Sequence, residues 1–217
     1  MPGPLSRAAL AAALSLAPTM PAVADQDFLR AFQADLYSGQ IAKAEELSTA
    51  RLATASDDAQ AQFGLGTAQF LGAVEHLVQG LHHYGLRSTY ERWGLGLLPI
   101  LRLPVPDNPN PEPITYEALR DVLARFVDDL ATADRTLAGV RGEVSLPLNI
   151  GGIRLDLNED GTVTGQERLA DIVLKITGLR TMPMGLDMMD VGFDSADVLW
   201  LRAYSNLLMA IADFPLG

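Results

Sequence analysis

The stretch TYEALRDVLARFVDDLATADRTLAG, residues 115–139, decides the fold class. Leu119, Val122, Leu123, Phe126, Val127 and Leu130 recur three and four residues apart, which lays them along one side of an α-helix. Thr115 offers a hydroxyl to the first free N–H groups, and Gly139 ends the run. Asp121 and Arg125, four residues apart on the polar side, are expected to pair.

The same period extends toward the N-terminus. Phe28, Leu29, Phe32, Leu36 and Tyr37 form one stripe, which Ser38-Gly39 interrupts. Ile41, Ala44, Leu47 and Ala50 start a second, and Ser56-Asp57-Asp58 is a turn and cap before a third over Ala59 to Leu71. Toward the C-terminus, Val144, Leu146, Leu148 and Ile150 alternate as in a strand. A last helix is expected from about Ser195 to Phe214, apolar on nearly all sides and therefore central. The reading is a mainly α protein, a bundle of six to eight helices.

Composition narrows the function classes. The chain has 217 residues, 48% of them apolar, a formal net charge of −11 and no cysteine. That apolar fraction supports a buried core rather than a disordered chain. The acidity argues against a partner made of phosphate backbones, so no nucleic acid is expected. Without cysteine there is no disulfide, thiol nucleophile or Cys-ligated zinc.

Residues 1–24 read as an export signal. Arg7 precedes an apolar run from Ala8 to Ala17, and Ala22-Val23-Ala24 forms a small-x-small cleavage site. The run is too short to span a bilayer, and no later segment is long enough, so no membrane span is expected. A periplasmic or secreted location follows. The remainder, 25–217, reads as one helical domain. Its N-terminal part is 25–102, and 103–114 is a Pro-rich connector around LPVPDNPNPEP, residues 103–113. The C-terminal part is 115–217.

Two segments resemble known families. DLYSGQIAKAEEL (35–47) and DAQAQFGLGTAQF (58–70) resemble parts of a tetratricopeptide repeat, with Ala61, Gly64 and Ala68 on one helical face and Gly66 beside them. The resemblance covers about one and a half repeats over residues 27–86 and implies closely packed helical hairpins at the front of the domain.

The sequence DLNEDGTVTGQE, residues 156–167, resembles an EF-hand calcium loop at every defining position. Asp156, Asn158 and Asp160 hold the first, third and fifth places, where side-chain oxygens converge on a hard cation. Gly161 holds the sixth, where the chain turns sharply. Thr162 offers its carbonyl, Val163 turns inward, and Thr164 acts directly or through water. Glu167, expected in the first turn of the next helix, supplies two carboxylate oxygens. The implied cofactor is Ca²⁺, held by Asp156, Asn158, Asp160, Thr162, Thr164 and Glu167. The entering segment LPLNIGGIRL (146–155) has no helical period, so an extended segment is expected there in place of the usual first helix. A single loop favours a structural ion over a sensor.

Two weaker clusters remain. His76, His82 and His83 sit close in sequence with Glu75 and Gln79 nearby, and Gly80 threatens the geometry of any shared helical face. Met182, Met184, Met188 and Met189 are soft ligands or adaptable packing. Asp128-Asp129 reads as solvated surface. The functional expectation is an exported calcium-binding helical protein without catalytic activity, whose partners are the calcium ion and another protein or an envelope component. The alternative is a periplasmic hydrolase with its site near His76, His82 and His83.

Overall fold

The computed structural model describes residues 21–86, 103–165, 167–177, 190–214 and 216. The protein is mainly helical with one small sheet. Among the described residues the order is α1 (Pro21–Tyr37), α2 (Ile41–Thr54), α3 (Ala59–His83), α4 (Tyr116–Ala138), β1 (Ser145–Asn149), α5 (Leu169–Thr177), β2 (Asp190–Asp194) and α6 (Ser195–Asp213). No helix among them is long and apolar enough to cross a membrane. Of the segment read as an export signal, residues 1–20 lie outside the described residues, and Pro21–Ala24 open α1.

Helix α3 is the axis of the molecule. It runs unbroken through Gly80, and α2 and α4 pack on it, with α6 in turn on α4. Small residues make this possible. Gly64 lies against Phe28, Phe32 and Ser48, and Gly66 lies under Leu137, whose side chain would be only 2.6 Å from an added Cβ. The α1–α2 turn needs its glycine, because Gly39 has φ +74° and lies against the Val163 side chain. Asp58 caps α3 by accepting from the Ala61 N–H at 2.9 Å. Its other oxygen holds Arg51, which also bonds Asp25 and covers the Phe28 ring. One guanidinium thus fastens the starts of α1 and α3 to the end of α2.

The Thr115 cap of α4 forms as the sequence predicts, its hydroxyl accepting from Ala118 N–H at 3.1 Å. The expected pair on its polar side does not form in that way. Arg125 instead lies 3.8 Å from Asp129, whose carboxylate also bonds His76 of α3 at 2.8 Å. Asp129 is therefore half-buried and turned to α3, whereas Asp128 is exposed as expected.

β1 and β2 pair antiparallel from Ser145↔Asp194 to Asn149↔Asp190. Leu146 and Leu148 face the core, as the alternation predicts. β2 runs straight into α6 through a capping box: Asp194 accepts from Ala196 N–H, and Asp197 accepts from Asp194 N–H. Helix α6 is not the central helix its composition suggests. Val198, Ser205, Leu208 and Ala212 are buried, but Leu199, Trp200 and Leu207 are exposed, so the helix lies at the edge. The Arg202–Asp134 bond at 2.8 Å ties it to α4.

The Pro-rich segment has no regular element between 103 and 115. Its residues are fastened to the end of α3. Asn108 donates to the His82 carbonyl at 3.0 Å, and the Glu112 N–H donates to the His83 carbonyl at 3.2 Å.

Candidate metal centre

The acidic loop is closed at its neck by its own backbone. The Leu155 N–H donates to the Glu167 carbonyl and the Leu169 N–H to the Ile153 carbonyl, both at 2.9 Å. The two ends therefore run antiparallel, with Arg154 opposite Arg168. Leu155 and Leu157 are buried and anchor the entering segment in the core. In place of an entering helix stand β1, a turn at 150–152 and the bridge at Arg154, as Pro147, Gly151 and Gly152 predict. The exit differs from expectation. Helix α5 begins at Leu169, so Glu167 stands before the helix and not within its first turn. The reason is that the Glu167 backbone is committed to the neck ladder.

Inside the neck the acceptors are arranged on the loop's own N–H groups. Asp156 accepts from Asp160 N–H at 3.2 Å and from Gly161 N–H at 2.9 Å, one on each oxygen. Gly161 takes φ +76°, and Glu159 takes φ +60°, so two left-handed residues wrap the chain around the Asp156 carboxylate. Asn158 accepts from Asp160 N–H at 3.3 Å and donates to the Asp160 carboxylate at 2.8 Å. Asp160 also accepts from the Thr162 hydroxyl and the Thr162 N–H, and these bonds hold its carboxyl below the usual range. At the far end, Glu167 is buried and accepts from Thr164 N–H at 2.7 Å and Leu157 N–H at 3.1 Å.

Hydrogen bonds gather Asp156, Asn158, Asp160 and Thr162 at one end of the loop and Thr164 with Glu167 at the other. Among the described residues no three His, Asp or Glu side chains form a ready-made ligand cluster. The donor set is all oxygen, the kind that fits Ca²⁺ or Mg²⁺ and not a soft metal.

Helix α3 supports the loop from behind, through residues whose part in it the sequence does not reveal. Glu75 accepts from the Asp156 N–H at 2.8 Å, and Gln79 donates to the Asp156 carbonyl at 2.7 Å. The pair, one helical turn apart, grips both backbone groups of the loop's first residue. The sequence placed Glu75 and Gln79 only beside the histidine cluster, not at the acidic loop. Burial pushes the Glu75 carboxyl up to about 7; the Asp156 N–H opposes this, and the charges of Asp156, Glu45 and Glu167 add to it.

The three histidines go to different partners. His76 bonds Asp129 at 2.8 Å, His82 meets the Pro106 carbonyl at 3.1 Å, and His83 reaches Glu112 at 3.2 Å. Two of them fasten the Pro-rich segment, and one joins α3 to α4. Met182, Met184, Met188 and Met189 lie outside the described residues. Compared with known proteins, the chain matches no family model, no curated protein and no solved structure.

Proposed function

We propose that this is an exported calcium-binding helical protein, with Ca²⁺ as a structural ion in the 156–167 loop. The observation that carries the reading is the wrapping of the chain from Asp160 to Gly161 around the Asp156 carboxylate, with Glu167 held at the opposite end. Four carboxylates, Asp156, Glu159, Asp160 and Glu167, lie within twelve residues, and a divalent cation would relieve their mutual repulsion. Asp156, Asn158, Asp160, Thr162, Thr164 and Glu167 would hold the ion. Bound, it supplies charge neutralisation and a cross-link between the loop's two ends. An ion that binds only the folded chain adds stability by mass action. Outside the cell, affinities of about 10⁻⁴–10⁻³ M suffice for such a role.

The biological role that fits is accessory: contact with another protein or an envelope component. The close packing of Gly64 against α1 and α2 supports a tetratricopeptide-like reading of the N-terminal hairpins, a fold used for such contacts. A hydrolase near His76, His82 and His83 has weaker support, since their side chains turn to separate partners. The test is calorimetric titration of the purified protein with CaCl₂ and with MgCl₂. Saturable uptake of one Ca²⁺, weakened in Asp160→Asn, supports the reading; absence of any heat at millimolar calcium overturns it.

A further inference from the structure

The β1–β2 ribbon has two outer edges, and the molecule treats them differently. Along β1 the outward backbone groups are bonded by helix side chains. The Ser145 N–H donates to Gln60 at 2.9 Å, the Asn149 N–H donates to the Tyr37 hydroxyl at 2.8 Å, and the Pro147 carbonyl accepts from Gln33. In an antiparallel ladder every second residue turns both of its backbone groups to the partner strand. Leu146 and Leu148 therefore exchange bonds with Phe193 and Val191, and the N–H and C=O of Asp190 and Gly192 point away from β1. No helix side chain meets them among the described residues, and neither residue has a bond outside the ribbon. Nothing described lies within 4 Å of a Cβ placed on Gly192. The edge stops at Asp194, whose N–H donates to Asp197 at 2.8 Å.

An unpaired edge is a template for one more strand. The side chains decide which strand fits. Asp190, Gly192 and Asp194 share the exposed face of β2, and Val191 and Phe193 share the less exposed one. A second copy of β2, set antiparallel about Gly192, would lay Asp190 against Asp194 twice, like charge on like charge. A strand with lysine or arginine at those two places meets opposite charge instead, and its intervening apolar residues lie beside Val191 and Phe193. We infer that the outer edge of β2 receives an extended segment of a partner protein, antiparallel, with the pattern basic–apolar–any–apolar–basic centred on Gly192. The inference deepens the accessory reading proposed above by naming the surface and the chemistry of the partner. It does not depend on calcium.

The probe is a fluorescein-labelled peptide, Gly-Gly-Lys-Val-Thr-Val-Lys-amide, titrated with the protein at low salt in chelator, so that its outcome is separate from calcium uptake. The expected result is a saturable rise in anisotropy. The same peptide with glutamate for both lysines should bind about tenfold more weakly. A peptide N-methylated at the threonine keeps its charge but loses the N–H that faces the Gly192 carbonyl, and should bind about tenfold more weakly too. In ¹⁵N-glycine-labelled protein the Gly192 amide, assigned with Gly192→Ala, should exchange with solvent more slowly once peptide is bound. Gly192→Pro removes an N–H that the ribbon does not use and should abolish binding. Asp190→Lys, at an exposed position, should weaken it about threefold and serves if Gly192→Pro does not fold. The proposal is overturned if the lysine peptide gives no saturable response, if the glutamate or N-methyl peptide binds equally well, or if the exchange of Gly192 is unchanged. It is equally overturned if sedimentation shows a dimer without peptide that Gly192→Pro or Asp190→Lys abolishes, since the edge then belongs to a second copy.

Discussion

The Glu75 carboxylate accepts a 2.8 Å hydrogen bond from the backbone N–H of Asp156, the residue that begins the acidic loop. A residue of the central helix, remote in sequence, therefore sets where the loop starts. It also places a fourth carboxylate beside Asp156, Glu45 and Glu167.

The first prediction concerns pH. Glu75 is raised to about 7 in the folded chain from its ordinary 4.5. The folded state therefore holds this proton more tightly than the unfolded state does. The resulting stabilisation is complete below pH 4.5, declines as pH rises toward 7, and is gone above it. Its size is roughly 3 kcal/mol at most. In Glu75→Gln, whose amide oxygen can still accept from Asp156, urea midpoints without calcium should vary less between pH 5 and pH 8. A wild-type fall over that range that persists unchanged in the variant would remove Glu75 as its source.

Calcium should reverse that trend. A cation in the loop favours the ionised Glu75, so binding should release a proton near neutrality and tighten as pH rises from 6 to 8. Titrations in two buffers of different ionisation heat would measure the release. Identical apparent heats in both would contradict it.

Asp160→Asn is the mildest alteration of the loop, because Asp160 is fully exposed and its neighbour Asn158 can turn its amide to suit. It should leave the calcium-free melting temperature nearly unchanged and reduce the rise seen with millimolar calcium. Glu167→Gln should lower stability even without calcium. Both Glu167 oxygens accept from backbone N–H groups, and an amide NH₂ would oppose one of them. Thermal scans of both variants with CaCl₂ and with chelator separate the two effects.

Gly39→Ala should destabilise by about 1–3 kcal/mol, from the left-handed backbone and from contact with Val163. Val163→Ala removes the clash with Cγ1 but leaves Cβ at 3.3 Å and the backbone strain. The double variant should therefore recover only part of the loss, as a double-mutant cycle in urea would show. Full recovery would mean that the backbone conformation costs nothing at this site.

The helices were legible because their apolar spacing and their caps agree. Thr115 with Ala118 and Asp58 with Ala61 are bonded as their positions suggest. The sharp turn of the loop was legible in Gly161, which takes φ +76°. The partners from other elements were not. Nothing near Asp156 in sequence points to Glu75 or Gln79, and nothing near Asp129 points to His76. The edge position of α6 was hidden for a related reason. A helix with apolar residues on every side can be central, or it can have one side left over, and only its neighbours decide between the two.

The ladder between Ser145–Asn149 and Asp190–Asp194 bears on how the chain assembles. The α1–α2–α3 hairpins form through contacts between segments close in sequence. The ribbon must instead draw together two strands separated by the whole acidic loop and α5, at a larger loss of chain entropy. The hairpins are therefore expected to form early and the ribbon late, with α6 docking only after Asp194 is in place to start it.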